Sequence, residues 1–157
     1  MLTSRSALVA SLVAVALAAA AQGRAAAEDG QLSIRDAWAR APAVPGRNGA
    51  AFLTLVNAGA QEIRLVGAET PAAARVELHR SVMADGVMKM VPQDAIPVPA
   101  GETTVLRPGG LHLMLIRADA RVKSGATIDL TLHFRSAESR SVRARVVAPG
   151  RTPDMAE

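Results

Sequence analysis

Cysteine and tyrosine are both absent from this 157-residue chain, and its aromatic complement is one tryptophan and two phenylalanines. Without cysteine there is no disulfide framework, no thiolate for a blue-copper electron-transfer centre, no zinc knuckle and no cysteine nucleophile. Stability must then come from an apolar core and backbone pairing. With Trp38, Phe52 and Phe134 as the whole aromatic set, there is no stacking platform for single-stranded nucleic acid. Arg140, Arg143 and Arg145 lie near one another but read as a solvated strand face. The chain carries no Gly-x-Ser-x-Gly elbow, no His-Glu-x-x-His and no glycine-rich phosphate loop, so an enzyme is not expected.

The first 27 residues differ from the rest. Met1 to Arg5 is a short basic opening, Ala7 to Ala21 an apolar run, and Ala25-Ala26-Ala27 a small-residue triplet. This is the pattern of a cleavable secretory signal peptide, with cleavage expected after Ala27 and Ala21 as the alternative. The apolar run, about 15 residues, is shorter than the roughly 20 that span a bilayer, so the mature form is expected to carry no membrane span. The expected layout is a leader over 1–27, one β-domain over 28–148 and a frayed tail over 149–157. Export lowers the charge: the leader carries two arginines and no acid, which leaves 16 basic against 14 acidic residues.

Beyond the leader the chain alternates in short apolar runs punctuated by glycine and proline, with no helical period and no internal repeat. Strands are expected at Gln31–Ala37, Ala51–Asn57, Glu62–Ala68, Val76–Met83, Thr103–Leu106, Leu111–Arg117, Thr127–Arg135 and Ser139–Val147. Trp38 to Asn48 reads as a loop by its breakers, with Trp38 as a core plug. Eight or nine such strands point to an all-β fold, an antiparallel β-sandwich or Greek-key barrel.

Against this scaffold one stretch stands out. Apart from Met1 and Met155, every methionine falls between Met83 and Met114, together with two of the three histidines, His79 and His112. The spacing is His79, ten residues, Met90, twenty-one residues, His112, one residue, Met114. Asp85-Gly86 is a dipeptide typical of a two-residue hairpin turn, which would pair Met83 with Met88 and Ser81 with Met90. Period-two alternation then sets His79, Met83, Met88 and Met90 on the side opposite Val76, Leu78 and Val82. On the later strand it sets His112 and Met114 opposite Leu111, Leu113 and Leu115. Methionine exposed on a polar face has no packing role to explain it. Thioether sulfur is soft and uncharged and favours Cu(I), and imidazole adds a stronger neutral donor. Two His and two Met could bind copper and still release it, as a carrier must. His133 reads as an exposed bystander.

These residues resemble the periplasmic copper chaperones of the PCu(A)C family, whose copper-binding pattern the His79, Met90, His112, Met114 spacing matches without a gap. The blocks RDAWARAP, GAAFLTLVNAGA, VELH, GVMKM and PGGLHLML extend the resemblance over nearly the whole mature chain. It implies a cupredoxin-like fold and one Cu(I) per chain on His79, Met90, His112 and Met114. It also implies a periplasmic role in delivering copper toward cytochrome c oxidase, the partner being an oxidase subunit or another copper carrier. Met83 and Met88 would be neighbours of the site. Arg80 stands where the family often has methionine, and the tail offers only Met155, which argues against a second, Cu(II), site. The competing readings are a periplasmic copper buffer or resistance protein and a metal-free β-sandwich interaction module.

Overall fold

The computed structural model describes residues 31–153, and every regular element among them is a strand. The expected leader and the last four residues of the tail lie outside the described residues. The strands are β1 (Leu32–Arg40), β2 (Gly49–Asn57), β3 (Ile63–Glu69), β4 (Ala73–Ala84), β5 (Val87–Pro92), β6 (Ile96–Val98), β7 (Thr103–Leu106), β8 (Leu111–Ala118), β9 (Thr127–Arg135) and β10 (Arg140–Val147). They form one mostly antiparallel sheet in the order β5-β4-β8-β2-β1-β10-β9-β3-β6, with β7 also paired to β2. The parallel pair is β1 with β10. Leu65 of β3, Leu78 of β4, Leu113 of β8 and Leu130 of β9 belong to one buried cluster, so the sheet folds over on itself around a single core.

The all-β expectation holds, with differences at two places. Ile96–Val98 is a strand inside what reads as a meandering connection, because Ile96 and Val98 are fully buried and pair with Leu65 and Ile63. The first strand also runs past Ala37 to Arg40. Its cause is a β-bulge: Arg35 pairs with Thr54, yet Trp38 pairs with Phe52, so β1 carries one residue more than β2 over this interval. Asp36 takes a φ of 54° to make the step.

That extra residue decides a face. Continued without a bulge, the register would set Trp38 opposite Ala51, which is fully buried in the core. The bulge sets it opposite Phe52 instead. Neither ring belongs to the core cluster. Trp38 is buried as expected but outside the main core cluster, and the two rings stack at 4.4 Å between centroids on the other side of the sheet.

The Asp85-Gly86 hairpin forms as expected. Both residues have positive φ, 52° and 75°, and Ala84–Val87, Met83–Met88, Val82–Lys89 and Ser81–Met90 are opposed pairs. Backbone contact with the rest of the sheet extends as far as Ser81, whose N–H donates to the Gly110 carbonyl at 3.0 Å. Beyond Ser81 the hairpin projects past the core, and residues on both its faces are exposed.

Candidate functional site

The site is built by register across β4, β8, β2 and β1. One row of opposed residues, Leu78 with Leu113, Leu113 with Ala51 and Ala51 with Ala39, faces the core. The intervening residues face the other way. His79 opposes His112, and Trp38 opposes Phe52. In the next row Glu77 opposes Met114, Met114 opposes Ala50, and Ala50 opposes Arg40. Beyond His79, Ser81 opposes Met90. Period-two alternation on the neighbouring strands β5, β4 and β8 thus gathers Met90, His79, His112 and Met114 on the face of the sheet away from the core.

This face is not open throughout. The expectation of exposure holds at Met90, 54% exposed, but His79 and His112 are only 7% and 3% exposed. Their rings lie 5.8 Å apart, and Phe52 flanks His112 at 6.4 Å. The Arg40 guanidinium sits 5.5 Å from the centroids of both Trp38 and Phe52, a cation–π arrangement that completes the aromatic wall. Next to this wall is a cleft of about 330 Å³ whose lining includes Phe52, Ser81, Met90, His112 and Met114.

Hydrogen bonding fixes what each imidazole offers. His79 Nε2 is 2.9 Å from the Glu77 carboxylate, and His112 Nδ1 is 3.0 Å from the Gly110 carbonyl. Both partners only accept, so each of these nitrogens carries the proton. The lone pairs are left on His79 Nδ1 and His112 Nε2. These two atoms are buried without a hydrogen-bond partner, a costly condition for a ring nitrogen unless something else occupies it.

The electrostatics favour neutral imidazole at His112. Burial pushes its pKa below the usual histidine value, the Gly110 carbonyl opposes that, and the nearby His79 adds to the lowering. Hydrogen bonds from His79 and then Arg75 hold the Glu77 carboxyl below its ordinary value. Arg75 Nε meets Glu77 at 2.6 Å, so one carboxylate oxygen faces the histidine and the other the arginine.

Met114 is oriented by a residue that no sequence signal singles out. Asn48 Nδ2 lies 3.8 Å from its sulfur, while Asn48 Oδ1 accepts the Arg117 N–H at 3.1 Å. Phe52 and Arg40 join the site through cross-strand register and Asn48 from the loop before β2, which no local motif signals, whereas Glu77 meets His79 within β4. Arg80 opposes Leu111 and Val91 and is exposed on the face away from His79. His133 lies elsewhere, with Nδ1 at 2.9 Å from the Ser139 hydroxyl.

The arrangement offers two imidazole lone pairs and two nearby thioethers, all neutral. Among the described residues no three His, Cys, Asp or Glu side chains cluster as a metal group, so a hard-oxygen cage is not what this face provides. A soft ion of low charge suits such donors.

Fold and donor face together place the protein in the class of PCuAC domains. The copper-bound PCuAC domain from PmoF2 is 26% identical and superposes with a TM-score of 0.66 over 77% of this chain and 96% of that one. The solution structure of CuI-DR1885 from Deinococcus radiodurans is 36% identical, with a TM-score of 0.54 over 78% of this chain and 85% of that one. The chain belongs to the LpqE-like family, described as "Putative lipoprotein LpqE-like", whose model matches residues 32–146. It is 35% identical to "Putative lipoprotein Lxx21020" of Leifsonia xyli subsp. xyli, over 85% of this chain and 79% of that protein.

Proposed function

We propose that this protein is a non-enzymatic, exported Cu(I) carrier that holds one ion between His79 Nδ1, His112 Nε2 and the thioethers of Met90 and Met114. It passes the ion by ligand exchange toward the copper centre of cytochrome c oxidase. The observation that carries this reading is the pair of buried imidazole nitrogens without partners, left free because Glu77 and Gly110 hold the opposite nitrogens. Copper binding by the PCuAC domain of PmoF2 and by DR1885 supports the choice of ion. The leader pattern, together with the lipoprotein names of the family and of the Leifsonia relative, supports export.

The chemistry follows from the donors. Neutral thioethers and imidazoles add no charge, so Cu(I) is held as a monocation and is not trapped as thiolates would trap it. Met90, more than half exposed on the hairpin, is the ligand an incoming acceptor reaches first. His79, His112 and the aromatic wall stay in place while it exchanges. The direct test is competition between the full chain and a colorimetric Cu(I) chelator, which should show one tightly held equivalent. Absence of any competing equivalent overturns the reading. Deletion in the host should then lower assembled oxidase. Normal oxidase with higher copper sensitivity would make the protein a buffer instead.

Glu77→Gln tests the second tier. An outer partner that orients a ligating imidazole typically contributes about 10–100-fold in affinity. The substituted amide could still accept a bond from His79 but would lose the charge and the tie to Arg75. A decrease at the lower end of that range is expected in the same competition assay, and an unchanged constant would remove Glu77 from the site.

Affinity should also fall with pH. Because His112 is held below the ordinary imidazole value, its lone pair survives to lower pH than that of a free histidine. Proton competition then sets in only below the ordinary imidazole range. The same shift makes the apo fold lose stability on acidification. The His112 contribution is complete above the unfolded-state value of about 6.5 and is lost as pH falls through the lower folded-state value. A flat affinity profile would point to an all-sulfur site and overturn the imidazole assignment.

A further inference from the structure

We infer a second, weaker soft-metal site at the tip of the β4–β5 hairpin, where the thioethers of Met83, Met88 and Met90 together take a monovalent Cu(I)- or Ag(I)-class ion. There it is poised to pass inward to the histidine centre. Met83 and Met88 are directly opposed across the hairpin, and Met90 follows Met88 by two residues on the same face. Directly opposed side chains have Cβ atoms about 4.5–5.5 Å apart and diagonal ones about 7–8 Å. Three unbranched side chains, each with three rotatable bonds, can bring their sulfurs to one point over such spans.

The surroundings favour a bare, soft cation. Met83, Met88 and Met90 are 66%, 50% and 54% exposed, so none of them fills the core. In the paired span from His79 to Pro92 the cations are Arg80 and Lys89, which oppose Val91 and Val82 on the other face. Over that span the methionine face carries His79, Ser81, Pro92 and three sulfurs and no arginine or lysine, with Asp85 the acid at the turn; Arg75, farther along β4 on the same face, is paired with Glu77 at 2.6 Å. Thioethers bind Cu(I) without charge and without a proton to lose. Met90 belongs both to this trio and to the inner set, so an ion can exchange one ligand at a time between them. The direction of transfer rests on the function proposed above, whereas binding at the tip does not.

Exposed methionine also suits protein docking, and leucine separates the two roles because it keeps apolar volume and removes sulfur. The test is a titration of the full chain with Ag(I), followed through the methionine Cε methyl signals. The first equivalent should shift Met114 and Met90, and the second should shift Met83 and Met88 and move Met90 again, since the two ions share it. The double variant Met83→Leu/Met88→Leu should keep the first equivalent with unchanged affinity and lose the second. It should also take ions from a chelator several-fold more slowly than the native chain. The second equivalent should remain flat across the pH range in which imidazole protonates. Met83 and Met88 signals unmoved by excess Ag(I), or a double variant that still takes two equivalents, would overturn the tip site. A Met114 signal that ignores Ag(I) while Met83 and Met88 respond would overturn the inner site alone.

Discussion

His112→Ala is expected to lower Cu(I) affinity by more than the roughly 10–100-fold that loss of an outer-shell partner costs, since it removes a donor outright. His112 is the most enclosed of the four proposed ligands. It is 3% exposed, fixed by the Gly110 carbonyl and flanked by Phe52 and His79. The same enclosure means that alanine leaves a void, and part of any loss could come from relaxation of the neighbouring rings. Met114→Leu removes that ambiguity. Leucine approximates methionine in volume, so the fold should be nearly unaffected while the thioether is gone. Chelator competition on both variants, with circular dichroism to verify folding, should show weakening in each and more in His112→Ala. Full affinity in both would overturn the site.

The contrast between these residues shows what a sequence makes legible. His79, Met90, His112 and Met114 can be placed on one face because each lies in a strand whose neighbours alternate cleanly, and because Asp85-Gly86 fixes the hairpin register. What cannot be read is anything that depends on which strands are neighbours. Glu77 meets His79 within one strand, but Asn48 reaches Met114 from a loop 66 residues earlier. Phe52 and Arg40 come from strands that local periodicity does not connect to β8. Trp38 differs from its expected place for a sharper reason. A single inserted residue at Asp36 inverts every face after it, and nothing in the residues around Asp36 announces a bulge. The burial of His79 is hidden for a related reason, since the ring beside it, that of His112, arrives from β8 through strand pairing.

Leu113→Ala should damage the scaffold severely, because this side chain secures the face on which the site depends. Leu113 lies between His112 and Met114, is fully buried, and opposes both Leu78 and Ala51 on the core side. Its burial fixes the alternation of β8, so His112 and Met114 must point the other way. Truncation of a buried leucine costs about 2–5 kcal/mol, from lost transfer energy and the cavity left behind. The site itself loses no donor, so the variant should still bind Cu(I) while folded. An ion that binds only the folded state returns about 4 kcal/mol when present at roughly a thousand times its dissociation constant. The metal-loaded variant should therefore unfold at about the denaturant concentration of the metal-free native chain, while the metal-free variant unfolds well before it. A variant that excess Cu(I) leaves unstabilised, though folded by circular dichroism, would mean that Leu113 governs ligand geometry as well as stability. Equal midpoints for the native and variant apo proteins would mean that the alternation of β8 is secured elsewhere.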